Sequence, residues 1–560
     1  MLEALERIAK GATADSQEDE WLDFKEDVGE FKPTVEILSQ TAACLANAGG
    51  GWIVLGVADK VSGPSALRGT ALAPRRVQRA IYDRTRPPLN VGCEELEFRQ
   101  TRLLVVQVLR SSVVHADTKG VVRRRFQDRC DPLDAALVAS LQYSKSEHDW
   151  SAEPSERSGE DIRSDALESL RRRTSVKHPK LAALPRRRFL AKLGLTSANG
   201  TLTNAGERML CDRGPPASPG AIYQYKRSPR SEPSVIEHLT DPVPLLLDRL
   251  LEFVRVRRST TPVNLPDGTQ IALPDFPEEA VREALSNALL HQEFRIGEPV
   301  TVEHSPTNLT ITSPGSFIDG VSENNILNVQ SNPRNRRLFD AATLAAMSER
   351  AGQGVDRMFR ELIRGGHDKP SITQSARFVR VSLPSGPPRT NFVRLVAQLP
   401  EAIETDVDVL IALSAFLTKR TLDARELAEL IQQSISEAAT TLRTLADDAV
   451  ALLEPTLATA KRVSPKYRLR AATLASLGRE VVYHRQDPVD LDTKVRRHLA
   501  DYDVINNRTL QSLFDVDVSR ARRMLDDLRR RGLIEKLPGS ERGRSVRYGP
   551  GPNLDGRKRT

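Results

Sequence analysis

The sequence predicts a multidomain chain of mixed α/β and α+β class, on three observations. Its 560 residues leave room for three to five domains with cores of their own. Apolar runs of strand length, among them WIVLGVAD, RLLVVQVL and NLTITSPGSF, alternate with segments of helical period. From Pro388 onward the pattern changes to two successive units, each a short helix, a longer helix and a hairpin-like tail. A composition of 39% hydrophobic and 28% charged residues fits a globular chain.

No apolar run approaches the roughly eighteen residues of a membrane span, and the opening Met1-Leu-Glu-Ala-Leu-Glu does not read as a signal peptide. A cytoplasmic protein with no membrane partner is expected. Cys44, Cys93, Cys130 and Cys211 are scattered without a CxxC pair, so reduced thiols are expected rather than a zinc site or a disulfide frame. The net charge of +8, with a pI near 9.3, points to nucleic acid as a polyanionic partner, although an arginine-rich coding bias gives the same balance.

In residues 1–143, SQEDEWLDFKED brings an acidic cluster up to a short strand, Trp21–Lys25. A helix follows in KPTVEILSQTAACLANAGGG, with Pro33 near its first turn and Val35, Leu38, Ala42 and Leu45 on one face. Gly49, Gly50 and Gly51 end it, and WIVLGVAD forms a buried strand closing on Asp59. Arg102–Leu109 supplies a further strand. The basic run Gly120–Arg129 carries Arg123, Arg124 and Arg125, which either track a nucleic-acid backbone or keep an exposed edge soluble.

Four elements stand in order here: Glu18, Asp23-Phe24-Lys25, Ala46-Asn47-Ala48-Gly49-Gly50, and Gly56-Val57-Ala58-Asp59. The combination resembles the Schlafen AlbA-like domain, a domain associated with DNA binding, with Asp23 where the family more often has glutamate. In the family's nucleases, three such carboxylates bind a divalent metal and cleave RNA. The resemblance therefore implies Glu18, Asp23 and Asp59 as ligands for magnesium or manganese, with Lys25 on a phosphate oxygen. A structural ion-pair network of the same residues is the alternative.

Residues 144–164 are polar and poor in aliphatic side chains, as expected of a linker. Residues 165–258 read as a connector of helices and a strand, including LTNAGERML before AIYQYKRS. No GxxxxGK[ST] loop occurs, so a helicase motor has no support.

Residues 259–386 hold the stretch on which the functional reading turns, PEEAVREALSNALLHQEF. Glu283, Asn287 and His291 recur every four residues and share one helix face, while Ala284, Leu285, Ala288 and Leu289 cover the rest. A carboxylate, an amide and an imidazole in one stripe can hold a hydrated metal and polarise water; a solvent-facing polar stripe is the alternative. A strand ends in Ser313-Pro314-Gly315, Arg334, Arg336 and Arg337 follow, and Gly352 and Gly354 precede another helix.

In that order these motifs resemble the GHKL nucleotide-binding fold, an α/β sandwich. The resemblance implies ATP as ligand, Asn287 on its magnesium and Glu283 activating the attacking water. By the same resemblance His291, Ser313, Gly315 and Arg334 line the nucleotide, and Gly352 and Gly354 belong to the lid and phosphate turn. The aspartate that reads the adenine amino group in that fold is absent, since Ser313-Pro314-Gly315 stands in its place. Homodimerisation is implied by the resemblance alone.

Residues 400–470 and 488–550 read as tandem winged helix-turn-helix units, with a basic tail at 551–560. The second unit is the more basic, with Arg522 and Arg523 on its longer helix and Arg542, Arg544 and Arg547 in its wing. The leading expectation is a nucleotide-regulated nucleic-acid-binding protein, acting on DNA or structured RNA as a transcriptional regulator or in phage defence. A metal-dependent nuclease is the alternative, and an ATP-dependent protein scaffold the second.

Overall fold

A computed structural model describes residues 1–146, 148–213, 220–318, 320–329, 332–348, 353–456, 458–482, 491–514, 516–538 and 546–554. The chain divides into two compact units. One comprises Met1–Arg258, Glu278–Met358 and Pro370–Pro384; the other comprises Ser259–Pro277, Phe359–Lys369 and Ser385–Thr560.

The first unit contains two sheets. Strands β1 (Leu22–Lys25), β2 (Gly50–Leu55), β3 (Gly92–Phe98) and β4 (Thr101–Leu109) form a sheet of order β1-β2-β4-β3. β1 and β2 are parallel because helix α1 (Phe31–Asn47) carries the chain back between them. Leu38, Ala42 and Leu45 of α1 pack on Ile53, Leu55, Leu104 and Val106, while Leu22, Phe24, Val54 and Leu103 fill a core on the other face. Gly51 is obligatory here, since a Cβ would fall 2.3 Å from the Trp21 carbonyl oxygen, where β1 joins β2.

Strands β5 (Arg123–Phe126) and β6 (Arg129–Pro132) make a separate hairpin, followed by helix α2 (Ala135–Lys145). Asn47 at the end of α1 is fully buried and fixes this hairpin. Its Nδ2 donates to the carbonyls of His115 (2.7 Å) and Arg123 (2.8 Å), and its Oδ1 accepts from the His115 amide. Cys44 of α1 and Cys130 of β6 form a disulfide across the same junction, which corrects the expectation of four separate thiols. Spacing hides the pair because 86 residues separate the two sulfurs along the chain. Cys93 and Cys211 are free.

Residues 144–164 are not a loose linker. Trp150 stacks on Phe294 with ring centroids 5.0 Å apart, Asp149 accepts from the Arg337 amide, and Ser151 accepts from the Leu338 amide. The latter two cap helix α5 (Arg336–Leu344), so polar residues that look solvent-bound in sequence satisfy a helix end.

The second sheet runs β8-β7-β9-β10-β12-β11, built from β7 (Ala221–Lys226), β8 (Pro233–Leu239), β9 (Val300–Ser305), β10 (Asn308–Pro314), β11 (Ser371–Gln374) and β12 (Phe378–Pro384). Only the β7–β9 pair is parallel. Helices α3 (Val243–Arg255) and α4 (Glu278–His291) pack together, and α4 also lies on β10. Helix α6 (Gly354–Arg364) precedes β11.

In the second unit, helices Val407–Phe416, Ala424–Ile431 and Ile435–Ala446 are followed by a two-stranded antiparallel sheet, Leu453–Pro455 with Tyr467–Leu469. The pattern repeats in Leu491–Tyr502, Asn507–Phe514 and Val518–Arg530, with Ile534–Lys536 paired to Tyr548–Pro550. Val495, Leu510, Ala521, Leu525 and Leu528 are among the residues forming the core of this last group. Among the described residues no helix is long and apolar enough to cross a membrane.

Candidate nucleotide site

A cavity of about 190 Å³ opens between α4, the end of β10 and the start of α6. Its floor is apolar, with Ile311, Val379 and Val381 from the sheet, and Phe317 and Ile318 on the segment after β10. Glu283, Asn287 and His291 all line it, as the four-residue repeat predicts for one face of α4. The Asn287 side chain is half-buried and has no hydrogen-bond partner among the described residues, so its amide is available to a ligand.

Glu283 is 5% exposed, with the Arg357 guanidinium 3.9 Å from its carboxylate. Gly354, the first residue of α6, presses against it. A Cβ there would lie 2.0 Å from Glu283 Oε1, so the carboxylate would have to move to admit one. Gly352 lies outside the described residues.

His291 packs edge-on against Phe339. Desolvation, helped by the charge of Arg334, pushes its pKa down to about 4, so the imidazole is neutral at pH 7. Ser313 is buried and its hydroxyl donates to the Ala288 carbonyl, 2.9 Å away. Gly315 follows and also lines the cavity.

Arg334 borders the cavity too, but its nitrogens are engaged within the protein. Nε donates to the His291 carbonyl (3.2 Å), Nη1 to Glu293 Oε2 (3.1 Å) and Nη2 to the Ser316 carbonyl (2.5 Å). It fastens the segment after β10 to the end of α4 instead of reaching for a phosphate. Glu293 closes the same stretch but lies off the stripe of Glu283, Asn287 and His291; it is 2% exposed and anchors this corner. Burial raises its pKa, but the Arg295 hydrogen bond and the charges of Arg334 and Arg295 prevail and bring it to about 2.

The acidic cluster of the first sheet is arranged differently from expectation. Asp23 is 1% exposed and is ion-paired with both Arg125 and Lys25. Glu18 Oε1 accepts from the Phe24 amide at 2.8 Å and lies 3.8 Å from Lys25 Nζ. Desolvation, then the charge of Asp23, raises the Glu18 pKa to about 7. Asp59 sits exposed in the turn after β2. Among the described residues, no three carboxylate, imidazole or thiol side chains are placed to hold a metal ion. Glu18, Asp23 and Asp59 thus do not form the expected metal triad, because Lys25 and Arg125 meet the Asp23 charge that a cation would meet.

The basic run 123–125 is also corrected. Arg125 is buried on Asp23 and donates to the Asp19 carbonyl, Arg124 is buried and donates to Ser316 Oγ at 2.9 Å, and Arg123 pairs with Asp117 at 2.7 Å. These arginines join parts of the protein and do not present a nucleic-acid face. Arg522 and Arg523 are exposed on their helix, Arg547 is exposed, and Arg542 and Arg544 lie outside the described residues.

Two stretches match family models. Residues 18–134 match the model described as "Schlafen, AlbA_2", and residues 297–383 match "Putative ATP-dependent DNA helicase recG C-terminal". The chain therefore carries a Schlafen AlbA_2-like region and an ATPase-like region. Among solved structures, the chain is similar to the DIP2311 protein from Corynebacterium diphtheriae, with a TM-score of 0.52 and 24% identity over 86% of this chain and 98% of that one. That likeness speaks to fold. No curated protein matches the chain.

Proposed function

We propose that the protein is a nucleotide-regulated nucleic-acid-binding protein, with ATP as the nucleotide. The observation that carries this reading is the unpartnered Asn287 amide inside an apolar-floored cavity closed by Gly354 against Glu283. An apolar floor suits a base, and an amide oxygen suits the hydrated magnesium that accompanies a triphosphate. That ion, when bound, would screen phosphate charge; Asn287 is the residue to hold it. Glu283 is the candidate to accept a proton from water, and Ser313, with its proton committed to Ala288, offers a base only an acceptor.

Regulation is supported by the hydrogen bonds from the cavity's rim to the AlbA_2-like region. Ser322 Oγ and Asn324 Nδ2 donate to Glu20, Arg124 donates to Ser316, and Gln127 donates to Glu323. A nucleotide that shifts Ser316, Ser322, Glu323 and Asn324 acts on Glu20 and on the β5–β6 hairpin. In this reading the second sheet with α3, α4 and α6 is a GHKL-type sandwich. The two C-terminal helix groups are winged helices, and the last one supplies DNA contacts through Arg522, Arg523 and Arg547. The binder reading is favoured over the nuclease because Asp23 is neutralised by Arg125 and Lys25.

The test is calorimetry with Mg–ATP followed by DNA binding across a salt series. Asn287→Ala should abolish Mg–ATP binding without unfolding the protein, and unchanged affinity would remove the assignment. Arg522→Ala with Arg523→Ala should lower the salt slope by roughly 2, about 0.9 for each phosphate no longer neutralised. An unchanged slope moves that helix to protein contact.

A further inference from the structure

A second, polar cleft of about 70 Å³ adjoins the nucleotide cavity and shares Ile318, Asn332 and Arg334 with it. Three parts of the first unit converge on it. Arg110 follows β4, Tyr143 belongs to the last turn of α2, and Arg295, Arg334 and Arg336 flank α4 and α5. Among the described residues, four guanidinium groups line the cleft and no carboxylate does.

The charge behind its wall is unbalanced. Glu293 accepts from Arg295 Nε and Nη2, both at 2.7 Å, and from Arg334 Nη1 at 3.1 Å. Two guanidiniums thus share one buried carboxylate, leaving one positive charge in excess in a site where charge is costly to leave uncompensated. Arg295 Nη1 is enclosed with no acceptor among the described residues. Its guanidinium lies 3.8 Å from the Tyr143 ring centroid, which holds the plane fixed. Arg336 is exposed and forms no ion pair among the described residues. A planar, always-charged fork is the donor best suited to a phosphate.

We infer that this cleft is an anion site for a terminal phosphate group, distinct from the nucleotide cavity. The apolar floor of the main cavity and the engaged nitrogens of Arg334, which stands between the two spaces, separate them. The inference does not depend on nucleotide binding. A small phosphate ester and the 5′-phosphate of a nucleic-acid strand present the same dianion.

The test uses the full chain at low ionic strength and follows tryptophan fluorescence, because Trp150 lines the cleft. Inorganic phosphate should give a saturable change that is lost in Trp150→Phe. Arg336→Gln and Arg295→Gln should each weaken it roughly tenfold or more, the range of one charged hydrogen bond. Arg336 is exposed, so its variant decides the matter if Arg295→Gln fails to fold. Asn287→Ala should leave phosphate binding intact. A 5′-phosphorylated oligonucleotide binding more tightly than its 5′-hydroxyl twin identifies the source as a strand end; equal binding with saturable phosphate identifies a small ester. Absence of saturable binding, an unchanged affinity in Arg336→Gln, or loss of binding in Asn287→Ala would overturn the inference.

Discussion

Replacing Gly354 by alanine tests whether the closure over α4 is as tight as its geometry requires. The new Cβ would lie 2.0 Å from Glu283 Oε1, 2.7 Å from its Cδ and 3.2 Å from its Cγ. Ordinary contact begins near 3.4 Å, so the carboxylate must retreat by more than 1 Å. Glu283 is only 5% exposed, so its one way out is into the cavity it lines, away from Arg357. Overpacking of this kind costs about 1–3 kcal/mol. Alanine's better helix propensity returns at most about 1 kcal/mol, and less at a first helical position. The expected net loss is about 1–2 kcal/mol, or a Tm lower by roughly 2–8 °C. Glu283→Ala removes the obstructing atoms, and in that background Gly354→Ala should be neutral or slightly stabilising. The cycle therefore predicts a coupling of about 1–3 kcal/mol. Urea unfolding followed by tryptophan fluorescence measures it, since Trp21, Trp52 and Trp150 all belong to the first unit. Additivity within about 0.5 kcal/mol would refute the contact.

Two further outcomes are expected. The folded pKa of His291, about 4, lies below its ordinary 6.5, so its contribution to stability is fully present above pH 6.5 and is lost as pH falls towards 4. The folded pKa of Glu18, about 7, lies above its ordinary 4.5, so its contribution is present below pH 4.5 and is lost as pH rises through 7. Thermal melts from pH 4 to 8 should show His291→Gln losing less stability on acidification than the parent, and Glu18→Gln gaining relative to the parent between pH 4.5 and 7; parallel profiles would contradict both. A thiol reductant should lower the Tm of the parent, since the Cys44–Cys130 bond closes a loop of 86 residues, with an effect of about 4.6 kcal/mol in the loop-entropy picture. Cys44→Ser should show no further drop, and a parent indifferent to reductant would refute the linkage.

How much of this can be read from the sequence follows from the range of the interactions involved. The stripe Glu283, Asn287, His291 is legible because helical spacing alone sets which residues share a face. Gly354 at the start of α6 and the strand ending at Pro314 are legible from local glycine and proline chemistry. The partners of charged groups are not. Arg125 reaches Asp23 across 102 residues, Arg124 reaches Ser316 across 192, and Glu20 receives Ser322 across 302. A run of arginines has the same composition whether it faces solvent or enters a core, so pattern alone misplaces Arg123–Arg125 and the 144–164 segment. The acids are visible in sequence but their neutralisation is not, because nothing in the spacing says that Lys25 turns to Asp23 rather than to a ligand.

The two sheets also differ in when they can exist. Every strand of the first sheet lies between residues 22 and 109, so its hydrogen bonds are available soon after that stretch emerges from a ribosome. The second sheet closes only when β12 ends at Pro384, and its one parallel pair joins Ala221 to Val300. At roughly 5–20 residues per second, the interval between the two events is about 15–55 s. Within it, while residues 240–305 are made, about 3–13 s at that rate, β7 and β8 have no β9 to cover β7, and an exposed strand edge invites pairing with other chains. Slowing translation after residue 239, or ending the chain before β12, should therefore favour aggregation of a nascent protein whose amino-terminal sheet is already folded.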